Sequence, residues 1–245
     1  KLVGNIINCF AENNPNRCYI SDVDKKTKVI AVYSPIGGCG KTTIAVGCSI
    51  NSAECGNSVF YLNLEEIQST PYFFNCESKV NISNMLYYIK EKKKNLALKI
   101  EGIRNKDYQY DIHYFSPPDT IVDINDTTPD EIHSLIHELK ISNSYDEIFI
   151  DMSTNMNDKN ISVLKYSDQI IMVLANEDLS ISKAAFFIKE MEILSQRNDL
   201  DIYSKLTIIL NKSSVNKNPK IEKLNINNKS IEVEIPMIND PITIS

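Results

Sequence analysis

Three of the chain's seven glycines, Gly37, Gly38 and Gly40, fall within four positions, and Lys41-Thr42-Thr43 follow directly. Glycine concentrated in this way marks backbone that must lie against a ligand with no side chain between. A phosphate chain fits that role. Successive amide N–H groups of a turn and of a helix N-terminus converge on an anion, and Lys41 adds a mobile positive charge. The Thr42 hydroxyl is placed to ligate Mg²⁺. Two acidic residues complete the candidate set. Glu65 and Asp151 each end an apolar run that reads as a strand, at the edge where open α/β sheets bind ligands. Asp151 is the expected partner of Mg²⁺.

These residues need a scaffold that brings them together. Val29 to Tyr33 reads as a buried strand ahead of the glycine turn, and Lys41 opens a helix carrying Ile44, Ala45, Cys48 and Asn51, with Gly56 as its stop. Further strands are predicted over Ser58–Leu64, Ile112–Ser116, Glu147–Met152, Ile170–Leu174, Leu206–Leu210 and Ser230–Ile235. Residues 67 to 79 read as a loop. One helix is predicted from about Ile82 with Met85, Leu86 and Ile89 on one face, and the lysine run Lys92-Lys93-Lys94 at its end reads as solvated. A second begins at the Thr128-Pro129-Asp130-Glu131 capping box, with Ile132, Leu135, Ile136 and Leu139 as its stripe. A third is capped by Ser180 and faces Ile181, Ala184, Ala185, Ile188 and Met191 inward. Strands alternating with helices predict an α/β fold with a mostly parallel central sheet and helices on both faces. Residues 1 to 27, with a turn at Asn13 to Asn16, read as a lead-in segment or linker. Residues 28 to 245 read as the domain, with a polar loop and short helix over Ser213 to Asn228.

Composition narrows the classes. With 245 residues, 42% hydrophobic and 24% charged, one α/β domain with a full core is expected. A formal net charge of −6 argues against a surface that coats nucleic acid, so direct DNA binding is not expected. No apolar run reaches bilayer-spanning length. The six cysteines, Cys9, Cys18, Cys39, Cys48, Cys55 and Cys76, form no C-x-x-C pair and are read as reduced thiols of a cytoplasmic protein. His133 and His137 stand one helical turn apart without an acidic or thiol partner and are expected on an exposed helix face. The chain opens on Lys-Leu-Val-Gly and is expected to be a piece of a longer protein.

The loop, Glu65 after the second strand, Asp151 at the end of YDEIFID and the text ILNK over Ile209 to Lys212 together resemble the MinD/ParA-type P-loop ATPases, over residues 28 to 240. The text FYLNLEE, Phe60 to Glu66, looks most like the CpaE/TadZ branch, whose members help to place Tad-type pilus machinery and often carry an N-terminal receiver-like domain. That resemblance implies the following roles. Gly37, Gly38, Cys39 and Gly40 would bind phosphates through backbone N–H groups. Lys41 would reach the β and γ phosphates, Thr42 and Asp151 would hold Mg²⁺, and Thr43 would lie near the α-phosphate. Glu65 stands where the family has an aspartate that orients the attacking water, and Asn63 where an earlier aspartate is usual. Asn211 would contact the base, with adenine favoured because Ser213 and Ser214 follow in place of an aspartate. ATP or ADP with Mg²⁺ is the implied cofactor. A homodimer is the implied assembly, with pilus or secretion assembly proteins as partners and recruitment to a membrane-associated assembly.

Three departures from the pattern matter. The signature lysine of K-G-G-x-G-K, which reaches across a nucleotide-sandwich dimer, is Ile36. Glu65 is one methylene longer than the usual aspartate. The D-x-P-x-G stretch reads Asp151-Met152-Ser153-Thr154-Asn155. The expected function is an ATP-binding localisation or assembly factor with weak or absent hydrolysis, ATPase activity being doubtful because Ile36 replaces the lysine. An active partitioning ATPase and an ATP-dependent ligase of the same superfamily are the alternatives.

Overall fold

Apolar runs too short for helices and rich in β-branched residues become strands buried on both faces. In the computed structural model, which describes residues 26–76, 78–142, 144–198, 201–214 and 230–237 (side chains 197 and 198 excepted), they form one sheet. The strands are β1 (Lys28–Tyr33), β2 (Val59–Asn63), β3 (Asn105–Asp107), β4 (Ile112–Tyr114), β5 (Glu147–Asp151), β6 (Gln169–Ala175), β7 (Leu206–Ser213) and β8 (Val233–Pro236). Their spatial order is β3-β4-β2-β5-β1-β6-β7-β8. All neighbours run parallel except β3, which pairs antiparallel with β4 at one edge. Most of the lead-in segment, Cys9, Cys18 and the loop and helix expected after Ser213 lie outside the described residues.

The helices are α1 (Lys41–Glu54), α2 (Thr70–Phe73), α3 (Ile82–Lys90), α4 (Leu96–Ile103), α5 (Ile121–Asn125), α6 (Pro129–Ile141), α7 (Asp158–Tyr166) and α8 (Asp178–Asn198). Strand alternation divides the core in two. Val29, Ala31 and Tyr33 of β1 join a cluster with side chains from α3 to α8. Ile30 and Val32 face the other way, into a cluster where α1 is the main covering helix among the described residues. The mostly parallel sheet with helices on both faces is therefore present, with unequal cover.

Several local expectations change. The 67–79 loop contains α2, started by Pro71 at its first turn. The elements α4, β3, α5 and α7 were not foreseen. Three of the four have fewer than nine residues, and β3 is wholly polar, so periodicity has too little length to register. For α7 a signal was present: the Asn157 side chain accepts from the Asn160 N–H at 3.0 Å, an N-cap. Ser180 does not cap α8, which begins at Asp178. Its buried Oγ accepts instead from the Ala175 N–H at 3.0 Å, tying the first turn to the end of β6. Ala185 is exposed, and Phe187 takes the inward position against Tyr33, with ring centroids 4.8 Å apart. In α1 the buried line runs through Ser49 and Ser52 rather than Cys48 and Asn51. Ser52 Oγ there donates to Glu147 at 2.6 Å.

Asp168 fixes the start of the central strand. One carboxylate oxygen accepts from the Val29 N–H and from Lys140 Nζ, both at 2.9 Å. Partial burial would raise its pKa, but the Val29 amide and Lys140 outweigh burial and hold it below its ordinary value. The stability it contributes is therefore complete above the ordinary carboxylate value and is lost as pH falls through the lowered one. Asp168→Ala is expected to reduce unfolding free energy by about 1–2 kcal/mol at neutral pH. The deficit should shrink below about pH 4. Urea unfolding at two pH values reads both.

Candidate functional site

Parallel register sets the site. Val32 of β1 and Asn63 of β2 both pair with Asp151 of β5, so three strands end at one level. The chain leaves β1 through Ser34 and Pro35 into the glycine turn, where Gly38 and Gly40 take φ of +75° and +90°. Such angles are open to glycine at little cost. Gly40 is the N-cap of α1, with no side-chain cap and no acidic residue in the first turn. The helix's first amides thus lack side-chain acceptors and carry the positive end of the helix dipole.

Lys41 turns inward and is only 6% exposed. Its ammonium lies 2.5 Å from Glu65 Oε1 and 3.3 Å from Asp151 Oδ1. The Thr42 hydroxyl donates to the second Glu65 oxygen at 3.3 Å. Burial would pull Lys41 down, but the Asp151 and Glu65 charges more than reverse this and raise its pKa. Asp151 is fully buried. Burial pushes its carboxyl up to about 6 against the pull of Lys41, and Glu65 adds to the rise.

A second layer holds those carboxylates. Tyr61 donates its phenolic O–H to Asp151 Oδ2 at 3.0 Å and accepts from Asn63 Nδ2 at 3.2 Å. Asn63 Oδ1 accepts the Glu65 N–H at 2.8 Å, and Gln68 Nε2 donates to the Asn63 carbonyl at 2.8 Å. Beyond Asp151 the chain is pinned by Asn160, whose Nδ2 donates to Ser153 Oγ at 2.8 Å and to the Asn155 carbonyl at 2.6 Å.

From the far side, Asn211 Nδ2 donates to the Cys39 carbonyl at 2.8 Å, and Lys212 Nζ to the Gly38 carbonyl at 2.7 Å. A cleft of about 580 Å³ opens above, lined among others by Gly37, Gly38, Gly40, Lys41, Thr42, Thr43, Glu65 and Asn211. A Cβ built on Gly37 or Gly38 would meet nothing within 4 Å, so bare backbone faces open space. The donor set is that of a phosphate site.

The structure therefore brings all the expected residues into one region, with two distinctions. Asp151 lies beneath Lys41 and does not line the cleft. Cys39 is buried, and its Sγ donates to the Ile36 carbonyl at 3.4 Å, so the residue contributes backbone to the loop and packing below it. Ile36 lines the cleft and is 8% exposed. Sequence reasoning missed Tyr61, which looks like one more apolar strand residue. It also missed Lys212, whose φ of +54° turns its side chain toward the loop, and the lining by Thr154 and by Ile235 to Met237. His133 stacks on Tyr166 with ring centroids 4.0 Å apart. No group of three or more His, Cys, Asp or Glu side chains is arranged to hold a metal ion by itself among the described residues.

A family model described as an AAA domain matches residues 27–208. The chain belongs to the AAA-domain family. Solved structures place this AAA-domain protein in the ParA/MinD variant of the P-loop fold. The ParA family ATPase of Chlorobium tepidum TLS is similar with a TM-score of 0.72 at 19% identity, over 88% of this chain and 86% of that one. A plasmid partition protein from Borrelia burgdorferi gives 0.67 at 19% identity, over 87% and 91%. The septum site-determining protein MinD of Pyrococcus horikoshii OT3, solved with Mg-ADP, gives 0.64 at 19% identity, over 86% and 82%. A search of curated protein sequences found no match.

The loop's dependence on Gly40 is open to test. A Cβ there would lie 2.3 Å from Asn211 Nδ2, at a φ that side chains rarely adopt. Gly40→Ala is expected to destabilise the AAA-domain protein by about 1–3 kcal/mol in chemical denaturation. Restoration of stability by Asn211→Ala in the same chain would identify the clash as the cause.

Proposed function

We propose that this AAA-domain protein binds Mg-ATP in the cleft and acts as a nucleotide-dependent localisation or assembly factor of the Tad pilus type, with weak or absent hydrolysis. The observation that carries this reading is the buried Lys41 ammonium beneath an uncapped helix N-terminus at the mouth of the cleft. The amides of Gly37, Gly38, Cys39 and Gly40 bind phosphate oxygens. Lys41 turns outward to the β and γ phosphates, Thr43 sits near the α-phosphate, and Asn211 meets the adenine base. Thr42 and Asp151 hold Mg²⁺, the latter directly or through water. The ion these residues would hold would supply positive charge that offsets the charge of the phosphates. Glu65 is the side chain able to orient a water toward the terminal phosphate.

The buried Ile36 supports binding over turnover. Where the resembling ATPases carry a lysine that reaches a partner's phosphates, this chain offers an apolar side chain that joins the core around Cys39 and Ile44. Loss of one cation at a developing negative charge costs powers of ten in rate. ATP contacts made only between two facing copies would favour a homodimer by their differential affinity. FYLNLEE, spanning most of β2 and the turn that follows it, supports the Tad branch and its assembly partners. Among the described residues no helix is long and apolar enough to cross a membrane.

Calorimetric titration with Mg-ATP, followed by sizing, tests the reading. Lys41→Ala is expected to weaken binding about a hundredfold or more. Ile36→Lys should raise phosphate release at least tenfold over the parent. A parent that takes up no adenine nucleotide at millimolar concentration would sink the proposal. Fast turnover by the parent, abolished in Glu65→Gln and Asp151→Ala, would favour an active partitioning ATPase.

A further inference from the structure

Glu65 does more in this fold than end a strand. Its two carboxylate oxygens engage the two side chains that a phosphate-binding loop presents, Lys41 Nζ at 2.5 Å and the Thr42 hydroxyl at 3.3 Å. One carboxylate thus occupies, on the protein's own behalf, the partners that an incoming phosphate and its metal ion need. Its position is set by the backbone: the Glu65 N–H is held by Asn63 Oδ1, and Asn63 is in turn held by Tyr61 and Gln68. An aspartate at this position would be shorter by one bond of about 1.5 Å and could not keep both contacts from the same backbone. Glu65 is also the outermost of the two carboxylates. Its side chain is 22% exposed and lines the cleft, whereas Asp151 is fully buried behind Lys41.

Resting on the reading of the cleft as a nucleotide site, we infer that Glu65 is a built-in competitor of the nucleotide, an autoinhibitory carboxylate that must leave Lys41 and Thr42 before a phosphate chain can be gripped. The released carboxylate then faces the bound phosphates, where it is free to orient water. Occupancy of the site is thereby set against an internal ion pair. Thr42, once free of Glu65, would be able to hold Mg²⁺, whose charge would offset that of the displaced carboxylate. The contact also stabilises the nucleotide-free fold, because it satisfies a buried ammonium.

Those two effects have opposite signs, and this separates competition from general damage. The test compares parent, Glu65→Gln and Glu65→Asp by calorimetric titration with ADP, with and without Mg²⁺, and by thermal unfolding without nucleotide. Glu65→Gln is expected to bind ADP about tenfold or more tighter than the parent, to depend less on Mg²⁺, and to unfold at a lower temperature when free of nucleotide. Glu65→Asp should move in the same directions by a smaller factor, and it gives the readout if the glutamine variant does not fold. Tighter binding with an unchanged nucleotide-free unfolding temperature would mean simple charge repulsion and would overturn the competitor role. Equal or weaker ADP binding in both variants would overturn it too, while leaving the nucleotide site standing if the parent binds and Lys41→Ala does not. ADP binding by Glu65→Gln that persists without Mg²⁺, where the parent binds only with it, would support the inference in its strongest form. Absence of binding by every variant would sink both it and the nucleotide reading.

Discussion

A buried ammonium with two carboxylates around it sets the terms for the rest of this molecule. Removing one partner from a buried pair costs about 3–5 kcal/mol, whereas an exposed pair such as Lys106 with Asp111 contributes about 0–1 kcal/mol. The Lys41 cluster is therefore the ionic contact that the fold cannot lose cheaply. Its geometry imposes demands on distant parts of the chain. The helix carrying Lys41 must begin directly after Gly40, the strand carrying Asp151 must lie between the other two, and the strand before Glu65 must stop at Asn63. Parallel pairing meets all three demands at once, because it brings the carboxyl ends of neighbouring strands to one level.

Between that cluster and the apolar core lies a thin polar layer of Tyr61, Asn63, Ser153 and Asn160, all buried. Tyr61 and Asn63 mediate between the charges and the core, while Ser153 and Asn160 brace the segment after Asp151. Tyr61 gives its proton to Asp151, and the strong rise in its own pKa, caused first by burial and then by the Asp151 charge, keeps it a donor across the physiological range. Asn63, neutral where a third acid would crowd the site, donates to Tyr61 and accepts from the Glu65 amide. Asn160 holds the segment after Asp151 through Nδ2, while its Oδ1 has no hydrogen-bond partner. A buried acceptor of that kind carries a desolvation cost of about 1–3 kcal/mol.

What could be read from the amino-acid order follows the range of each interaction. The glycine loop was legible because spacing, glycine scarcity and the preceding apolar run are all local. The central strands were legible because burial on both faces writes an unbroken apolar run. The capping box at Thr128 was legible because its two hydrogen bonds span three residues. The meeting of Lys41, Glu65 and Asp151 depends on strand order, which the order of residues does not state; the family resemblance supplied a role for each of the three but not their ion pairing. Tyr61 was missed because an aromatic ring in a strand has the same signature whether its hydroxyl is used or idle. The short elements α4 and α5 were missed because five to eight residues hold too few turns for periodicity to show, and α7 because its Asn157 cap was not read.

The two ends of the sheet carry one further meaning. A parallel sheet of distant strands assembles slowly and exposes pairing edges while it does so. Here one outermost strand is the three-residue β3, with Asn105, Lys106 and Asp107 and antiparallel to its neighbour. The other, among the described residues, is β8, which is largely exposed and ends on Pro236, a residue with no N–H to give. A stray strand arriving at the first edge meets charge on a ladder too short to hold it, and at the second finds a missing rung. Fibre growth by sheet extension is thus discouraged at both edges of the described sheet.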